Sequence, residues 1–167
     1  IAALAREKTA GLATPFEIGL ALEAWFRSSD FEYTIDIDPG HGATDLAEWL
    51  LPEFSDTRYH RAGYCENFAT SMAVMARTLG VPSRVVLGFT PGRQVGSENL
   101  VVVEDRNAHA WVEVWLAEED RWAVYDPTPA ANVPALSAVG ARERLRFAWE
   151  WVQASWDRYV LTFGLAE

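Results

Sequence analysis

Two apolar stripes at helical spacing organise the first half of the chain. Residues 14–17 form a capping box with proline at the first helical position, and the apolar residues that follow lie one turn apart, which predicts a helix over 15–28. A second stripe repeats at spacings of four, three and four residues and stops before Gly80, which predicts a helix over 65–79. The members of the second stripe are Phe68, Met72, Met75 and Leu79.

Short runs of β-branched and aromatic residues dominate the chain after the second helix. They predict four strands, over 85–89, 100–103, 110–116 and 121–125. A shorter strand over 33–37 is also predicted, as is a short helix that starts at Thr44 and ends at Pro52. Because helices come first and strands later, we predict an α+β fold with a mostly antiparallel sheet.

An aromatic stripe in the last part of the chain alternates four and three positions apart, which predicts an amphipathic helix over about 136–162. Its members are Leu145, Trp149, Val152, Trp156, Tyr159 and Phe163. The stripe needs a partner, and two are open: this same domain, or a membrane segment outside the chain. A length of 167 residues fits a single domain over 1–167, with its core at about 14–130.

The charge balance narrows the classes of partner. There are 24 acidic residues against 14 basic ones, and no basic run offsets the formal charge of -10. We therefore expect no binding to nucleic acid or to an anionic membrane surface. No apolar run approaches the ~20 residues of a membrane span. Without a signal-peptide pattern, the chain is expected to be either cytosolic or a part of a longer protein.

Cofactor and metal motifs are absent from the sequence. There is no phosphate loop and no dinucleotide fingerprint, so we expect no cofactor. Asp36, Asp38 and Gly40 are spaced as in a calcium loop, but the twelfth position is Ala47 rather than glutamate. We interpret this stretch as a solvated acidic loop and expect no metal site.

The single cysteine, Cys65, begins the helix predicted over 65–79. A lone cysteine is usually a buried structural thiol, and Glu66 places a negative charge beside it that opposes a thiolate. In favour of a nucleophile, Gly63 permits a sharp backbone entry into the helix, and a helix N-terminus favours a thiolate. The free N–H groups there are also suited to hold an oxyanion. These observations alone leave the two interpretations balanced.

The histidines change that balance. His41 lies in a Gly/Pro loop and His60 precedes the predicted helix, and we interpret both as ordinary polar residues. His109 instead opens a strand that is largely apolar on both faces, so its imidazole needs a polar partner. An imidazole beside a thiol is the usual activation of a cysteine nucleophile.

Strand parity identifies a third group. If residues 117–120 form the hairpin loop, Leu116 pairs with Arg121, and the ladder carries Trp111 opposite Asp126. Opposed residues point to the same face, so we expect Asp126 to lie diagonally from His109, within reach of its side chain. Two alternatives remain: Asp126 serves only as a turn residue, or Glu113, farther along the same strand, orients the imidazole.

Four blocks of the sequence together resemble the transglutaminase-like superfamily. They are GYCENFA at 63–69, GVPSRVVLGF at 80–89, AHAWVEV at 108–114 and WAVYDPTP at 122–129. The chain order Cys65, His109, Asp126 also agrees with that family, at separations of 44 and 17 positions. The likeness is strongest to the extracytoplasmic domain of bacterial membrane-anchored transglutaminase-core proteins, and it extends over most of the chain.

This resemblance implies a papain-like fold, in which the cysteine helix packs on the sheet that carries histidine and acid. It also implies an extracytoplasmic location, with transmembrane segments outside this chain. Cys65, His109 and Asp126 would form a catalytic triad, and a tryptophan or another side chain often assists the oxyanion. The candidates for an oxyanion donor or a wall of the substrate groove are Tyr64, Trp49 and Trp111.

The implied reaction begins on a glutamine or other amide carbonyl of a protein or peptide. It passes through a thioester on Cys65, which an amine resolves into a crosslink or water resolves by hydrolysis. Two alternatives to this acyltransferase are a cysteine peptidase or amidase with the same triad, and a non-catalytic binding module that kept the fold.

Overall fold

The computed structural model describes residues 1–36, 46–55, 58–95 and 100–129. The helices are α1 (Ala2–Lys8), α2 (Pro15–Phe26), α3 (Leu46–Leu50) and α4 (Cys65–Thr78), with 3-10 turns at Pro52–Phe54 and Asp105–Asn107. The strands are β1 (Glu32–Tyr33), β2 (Ala62–Gly63), β3 (Ser83–Phe89), β4 (Arg93–Val95), β5 (Leu100–Val102), β6 (Ala108–Leu116) and β7 (Arg121–Tyr125). The predicted mixture of helix and sheet is confirmed.

The signals that start and stop the two long helices act as the sequence predicts. At the start of α2, the Glu17 N–H donates to Thr14 Oγ1 at 3.2 Å, and the Thr14 N–H donates to Glu17 Oε2 at 3.2 Å. At the end of α4, Gly80 adopts φ 79°, which glycine reaches without the steric cost of a side chain. Both helices end within two residues of the predicted positions.

The main sheet has three antiparallel strands in the order β3-β6-β7. The predicted hairpin register is confirmed, because Leu116 pairs with Arg121 and the ladder continues to Val112 opposite Tyr125. A feature that the pattern did not indicate is the parallel pairing of β1 with β2, which places Tyr33 opposite Gly63. The predicted strand over 33–37 is shorter in the structure, where β1 ends at Tyr33.

The core lies where α4 and α2 pack on the main sheet. Its fully buried side chains include Leu22, Phe26, Phe68, Met72, Met75, Val112 and Val114. Burying each such side chain contributes about 1.5–3 kcal/mol. Aromatic rings close one end of this core, with the Trp49 and Phe68 ring centroids 5.2 Å apart and those of Phe26 and Phe31 5.1 Å apart. The N-terminus of α4 emerges from this packed layer, so the first residues of the helix are rigidly held.

Residues Ile1–Pro134 form one compact unit, which carries every element named above. The C-terminal helix predicted over 136–162 lies outside the described residues and stays a prediction, as does the single-domain boundary. Within the described part of the chain, no helix has the length and apolar character needed to cross a membrane. The longest of them, α4, has 14 residues.

Candidate active site

Cys65 is the first residue of α4 and is half-buried. Within the described residues, the backbone N–H groups of Cys65 and Glu66 have no acceptor, as expected for the first turn of a helix. The next two, of Asn67 and Phe68, donate to the Tyr64 carbonyl at 2.9 and 3.4 Å. The thiol therefore lies beside two free donors and the positive end of the helix dipole.

The structure requires glycine at position 63 for a different reason from the one that the sequence predicts. Its φ is not in the left-handed region, so the expected sharp entry into the helix is not what requires glycine. Instead, a Cβ at Gly63 would lie 2.7 Å from Asn67 Oδ1. That oxygen accepts the Tyr64 N–H at 3.2 Å and so caps the first turn of α4. The missing side chain makes room for the amide that holds the turn carrying Cys65.

The His109 imidazole is bonded to the Asp126 carboxylate, with Nε2 and Oδ2 2.8 Å apart. The other carboxylate oxygen, Oδ1, accepts the Thr128 N–H at 3.0 Å. Because Asp126 occupies Nε2, Nδ1 is the ring nitrogen left to act on a thiol. The structure thus brings His109 and Asp126 together as the hairpin parity predicts.

The contact between His109 and Asp126 shifts both pKa values, upward for the imidazole and downward for the carboxyl group. The hydrogen bond to Asp126, helped by the neighbouring Cys65 side chain and opposed by burial, raises the pKa of His109 to about 9. Burial by itself would raise the pKa of Asp126, but the hydrogen bonds from His109 and Thr128 outweigh it and hold that pKa below its usual value. An imidazolium and a carboxylate are the favoured forms of the pair at neutral pH.

Glu113, the alternative orienting acid, is engaged elsewhere. Its Oε2 accepts from the Arg84 guanidinium at 2.7 Å (Nε) and 2.6 Å (Nη2). The register places these two residues opposite each other on β3 and β6. The interpretation of Glu113 as the acid for His109 is therefore wrong.

Cys65 and His109 line a single cavity of about 960 Å³. Apolar side chains on its wall include Ile35, Leu87 and Phe89, which are 80, 69 and 61% exposed. The exposed charged residues of the lining are Glu66, Asp105 and Arg106. An open cavity of this size admits a polypeptide side chain to the sulfur.

Two tyrosines also line the cavity. Tyr64, a predicted candidate, precedes Cys65, and burial, the Glu66 carboxylate and Cys65 raise its pKa. Tyr33 was not predicted; burial, and secondarily Cys65, raise its pKa as well. Both phenols therefore stay protonated, which leaves each able to donate a hydrogen bond near the sulfur. The β1–β2 pairing that brings Tyr33 here leaves no local signal in the sequence.

The two tryptophan candidates do not line this cavity. Trp49 is 2% exposed in the core, and its indole N–H donates to the Ala62 carbonyl at 2.8 Å. It therefore has no N–H to offer an oxyanion, and this prediction is wrong. Trp111 lies over Gly88, where a Cβ would be 2.5 Å from the indole, and its ring stacks near His109 at 6.3 Å between centroids. Trp111 supports the imidazole and is not a wall of the cavity.

Of the other two histidines, only His60 lies within the described residues. His60 does not line the cavity, and His41 lies outside the described residues. Within the described part of the chain there is no cluster of histidine, cysteine and acidic side chains that could hold a metal ion. The acidic loop around Asp38 is outside that part.

With this geometry in place, comparison with known proteins identifies the family. The family model of the transglutaminase-like superfamily matches residues 2–127. The chain belongs to this superfamily. The match contains all three residues of the predicted triad.

A curated protein and a crystal structure, both from Pseudomonas aeruginosa, are similar to this transglutaminase-like domain. A protein-glutamine gamma-glutamyltransferase is 31% identical over 96% of this chain, and the match covers 26% of that protein. The crystal structure of the periplasmic domain of TgpA is 34% identical, with a TM-score of 0.61 over 75% of this chain and 40% of that one. The chain thus spans about a quarter of the length of the curated relative.

A more distant structure confirms the fold class. A candidate cysteine protease from Cytophaga hutchinsonii has a TM-score of 0.51 at 21% identity, over 75% of this chain and 36% of that one. The predicted papain-like arrangement of the transglutaminase-like domain is therefore confirmed. Its curated relatives include proteins named protein-glutamine gamma-glutamyltransferase, from Pseudomonas aeruginosa and Homo sapiens.

Proposed function

We propose that this domain is a Cys–His–Asp acyltransferase that acts on glutamine or other amide carbonyls of proteins through a thioester. The observation that carries the proposal is the position of His109. Its Nε2 is bonded to Asp126 at 2.8 Å, and its ring lines one cavity with Cys65. This is the arrangement in which a base activates a thiol while an acid fixes the base.

In the first half of the reaction, the thiol proton of Cys65 resides on His109 Nδ1, consistent with the raised pKa of the imidazole, and the thiolate sulfur attacks the amide carbonyl. The developing oxyanion accepts from the free N–H groups at the first turn of α4 and from Tyr33 or Tyr64. When the tetrahedral intermediate collapses, the C–N bond breaks and the imidazolium gives its proton to the leaving amine. A thioester on Cys65 and a neutral His109 remain, and Asp126 stabilises the imidazolium in the steps before that proton transfer.

In the second half, an amine enters the cavity and loses a proton to His109 as its nitrogen attacks the thioester. The C–S bond breaks, a new amide is released, and the thiolate of Cys65 and the imidazolium of His109 are restored. Water in the same role yields a carboxylic acid. Transfer to an amine is the outcome that we favour, because a relative matched over 96% of this chain is named as a glutamine gamma-glutamyltransferase.

The test is incorporation of a labelled primary amine into a glutamine-bearing protein by the purified chain. We expect time-dependent labelling that is lost in Cys65→Ala and in His109→Gln. Release of new N-termini without amine incorporation would instead identify a peptidase. If the wild type does neither, and iodoacetamide alkylates Cys65 no faster than a free thiol, the domain is a binding module and the proposal fails.

We also propose that the domain lies outside the cytoplasm of a bacterium, where it meets protein substrates, and that membrane segments beyond this chain anchor it. The likeness to a periplasmic domain supports this location. In a bacterial host, an alkaline phosphatase fused to the end of the domain in the full-length protein should be active. An inactive phosphatase, together with an active cytoplasmic reporter at the same position, would place the domain inside the cell.

A further inference from the structure

One face of α2 supports the end of β7, where the acid of the site begins. The Tyr125 ring lies directly over Gly19, so close that a Cβ there would be 2.5 Å from the ring carbon Cζ. The Tyr125 hydroxyl donates to the Phe16 carbonyl at 3.2 Å. The last residue of β7 is therefore seated on the helix by both its ring and its hydroxyl.

Glu23, one helical turn after Gly19, bonds to Asp126, the residue that follows Tyr125. Its Oε1 accepts the backbone N–H of Asp126 at 2.7 Å, across 103 positions of sequence. The Glu23 side chain is 21% exposed, and its ion pair with Arg27 is long, at 3.9 Å. The bond to Asp126 is thus the close contact of this carboxylate.

The bond between Glu23 and Asp126 lies just beyond the last residue pair of the main sheet. The described ladder between β6 and β7 ends at Tyr125. The residue after Asp126 is Pro127, which has no N–H to donate. β7 is an edge strand of the main sheet, and Glu23 supplies from a helix an acceptor for the Asp126 N–H just beyond the described ladder. A backbone held at this point fixes the origin of the Asp126 side chain, whose Oδ2 must meet His109 Nε2 at 2.8 Å.

We propose that Glu23 is a positioning residue for the reaction: it anchors the Asp126 backbone so that the carboxylate meets His109. The inference rests on the proposed function for its role in catalysis. Its structural content, the dependence of the His109–Asp126 bond on Glu23, is measurable without a substrate. Glu23 contacts neither the substrate cavity nor the sulfur, so its effect passes through Asp126.

Three substitutions of Glu23 separate the effect of its side-chain length from the effect of its charge. Glu23→Gln keeps an acceptor oxygen at the same distance and removes the charge. Glu23→Asp keeps the charge and withdraws the oxygens by about 1.5 Å. Glu23→Ala removes both. The matched control is Glu17→Ala, because Glu17 is on the same helix and also accepts a backbone N–H, but that of Thr14 rather than that of Asp126.

The first measurement is an NMR titration of the His109 imidazole in the 167-residue chain, identified by its loss in His109→Gln. The wild type should titrate at about 9. Glu23→Ala and Glu23→Asp should lower this pKa by about one unit or more, since a looser Asp126 bonds the ring less well. Glu23→Gln and Glu17→Ala should stay near the wild type.

The second measurement is the steady-state rate of amine incorporation by the same proteins. Glu23→Ala and Glu23→Asp should lose about 10- to 100-fold in kcat with little change in KM, because the base is misplaced while the cavity is intact. Glu23→Gln should recover most of kcat. If Glu23→Ala does not fold, the comparison of Gln with Asp carries the test.

Three outcomes overturn the inference: wild-type titration and kcat in folded Glu23→Ala or Glu23→Asp, equal losses in Glu17→Ala, or a reversed order in which Asp behaves as wild type and Gln does not. The last would assign the effect to charge rather than to the bond. A wild-type chain without amine incorporation would refute the proposed function, and the His109 titration would still decide whether Glu23 holds Asp126.

Discussion

The raised pKa of His109 makes the stability of the fold depend on pH in a direction that can be measured. The perturbation is the substitution His109→Gln, compared with wild type across the pH range. In the folded chain the imidazole titrates at about 9, against 6.5 for an unperturbed histidine. The folded state therefore binds this proton more tightly than the unfolded state does, and protonation favours folding.

The magnitude follows from the difference between the two pKa values. At 1.36 kcal/mol for each pKa unit, the protonated ring contributes about 3 kcal/mol to the free energy of unfolding. Only 10% of the His109 side chain is exposed, so screening by solvent removes little of it. The contribution is fully present below pH 6.5, declines between 6.5 and about 9, and is absent above that range.

Urea unfolding at several pH values from 6 to 10, followed by tryptophan fluorescence, measures this contribution. The difference in unfolding free energy between wild type and His109→Gln should shrink by about 3 kcal/mol as pH rises through that window. Asp126→Asn should show little of this dependence, because the charged partner of the imidazole is gone. A difference that is constant with pH, or that grows as pH rises, would refute the reasoning.

Three further predictions test the surroundings of the proposed triad. Gly63→Ala should lower the free energy of unfolding by about 1–3 kcal/mol in urea, because its Cβ has no room; unchanged stability would contradict the packing. Either Tyr33→Phe or Tyr64→Phe should lower kcat for amine incorporation about 100-fold, because one of the two phenols donates to the oxyanion. Wild-type rates in both variants would exclude the phenols as oxyanion donors. Glu113→Gln should leave the His109 pKa at about 9 in an NMR titration, and a fall would mean that Glu113 does act on the ring.

The acid–base pair could be predicted because its geometry is local. An antiparallel hairpin with a loop of fixed length sets which residues share a face, and that rule places Asp126 beside His109 without knowledge of the rest of the fold. The helix carrying Cys65 was likewise predictable, since an apolar stripe and a stop signal define it. These parts depend on neighbours in sequence.

The parts that could not be predicted depend on tertiary packing. Tyr33 reaches the cavity through a parallel strand pair whose partners are 30 positions apart, and Glu23 reaches Asp126 across 103 positions. Neither contact is indicated by a periodic pattern or a turn motif in the sequence. Trp49 was a wrong candidate for a related reason. The sequence does not distinguish a tryptophan in a functional site from one that packs in the core. Its burial and its bond to Ala62 decide the matter.

The division of the proposed triad between a hairpin and a helix has a consequence for the order in which the protein folds. His109 and Asp126 belong to one hairpin, whereas Cys65 begins a separate helix that must dock on the sheet. Closing the shorter segment costs less chain entropy, so we expect the imidazole to find its acid before it finds the thiol. A nascent chain would then carry an ordinary cysteine until packing is complete. Under the proposed function, the sulfur would then become reactive only after packing is complete, and partly folded molecules would be protected from accidental crosslinking.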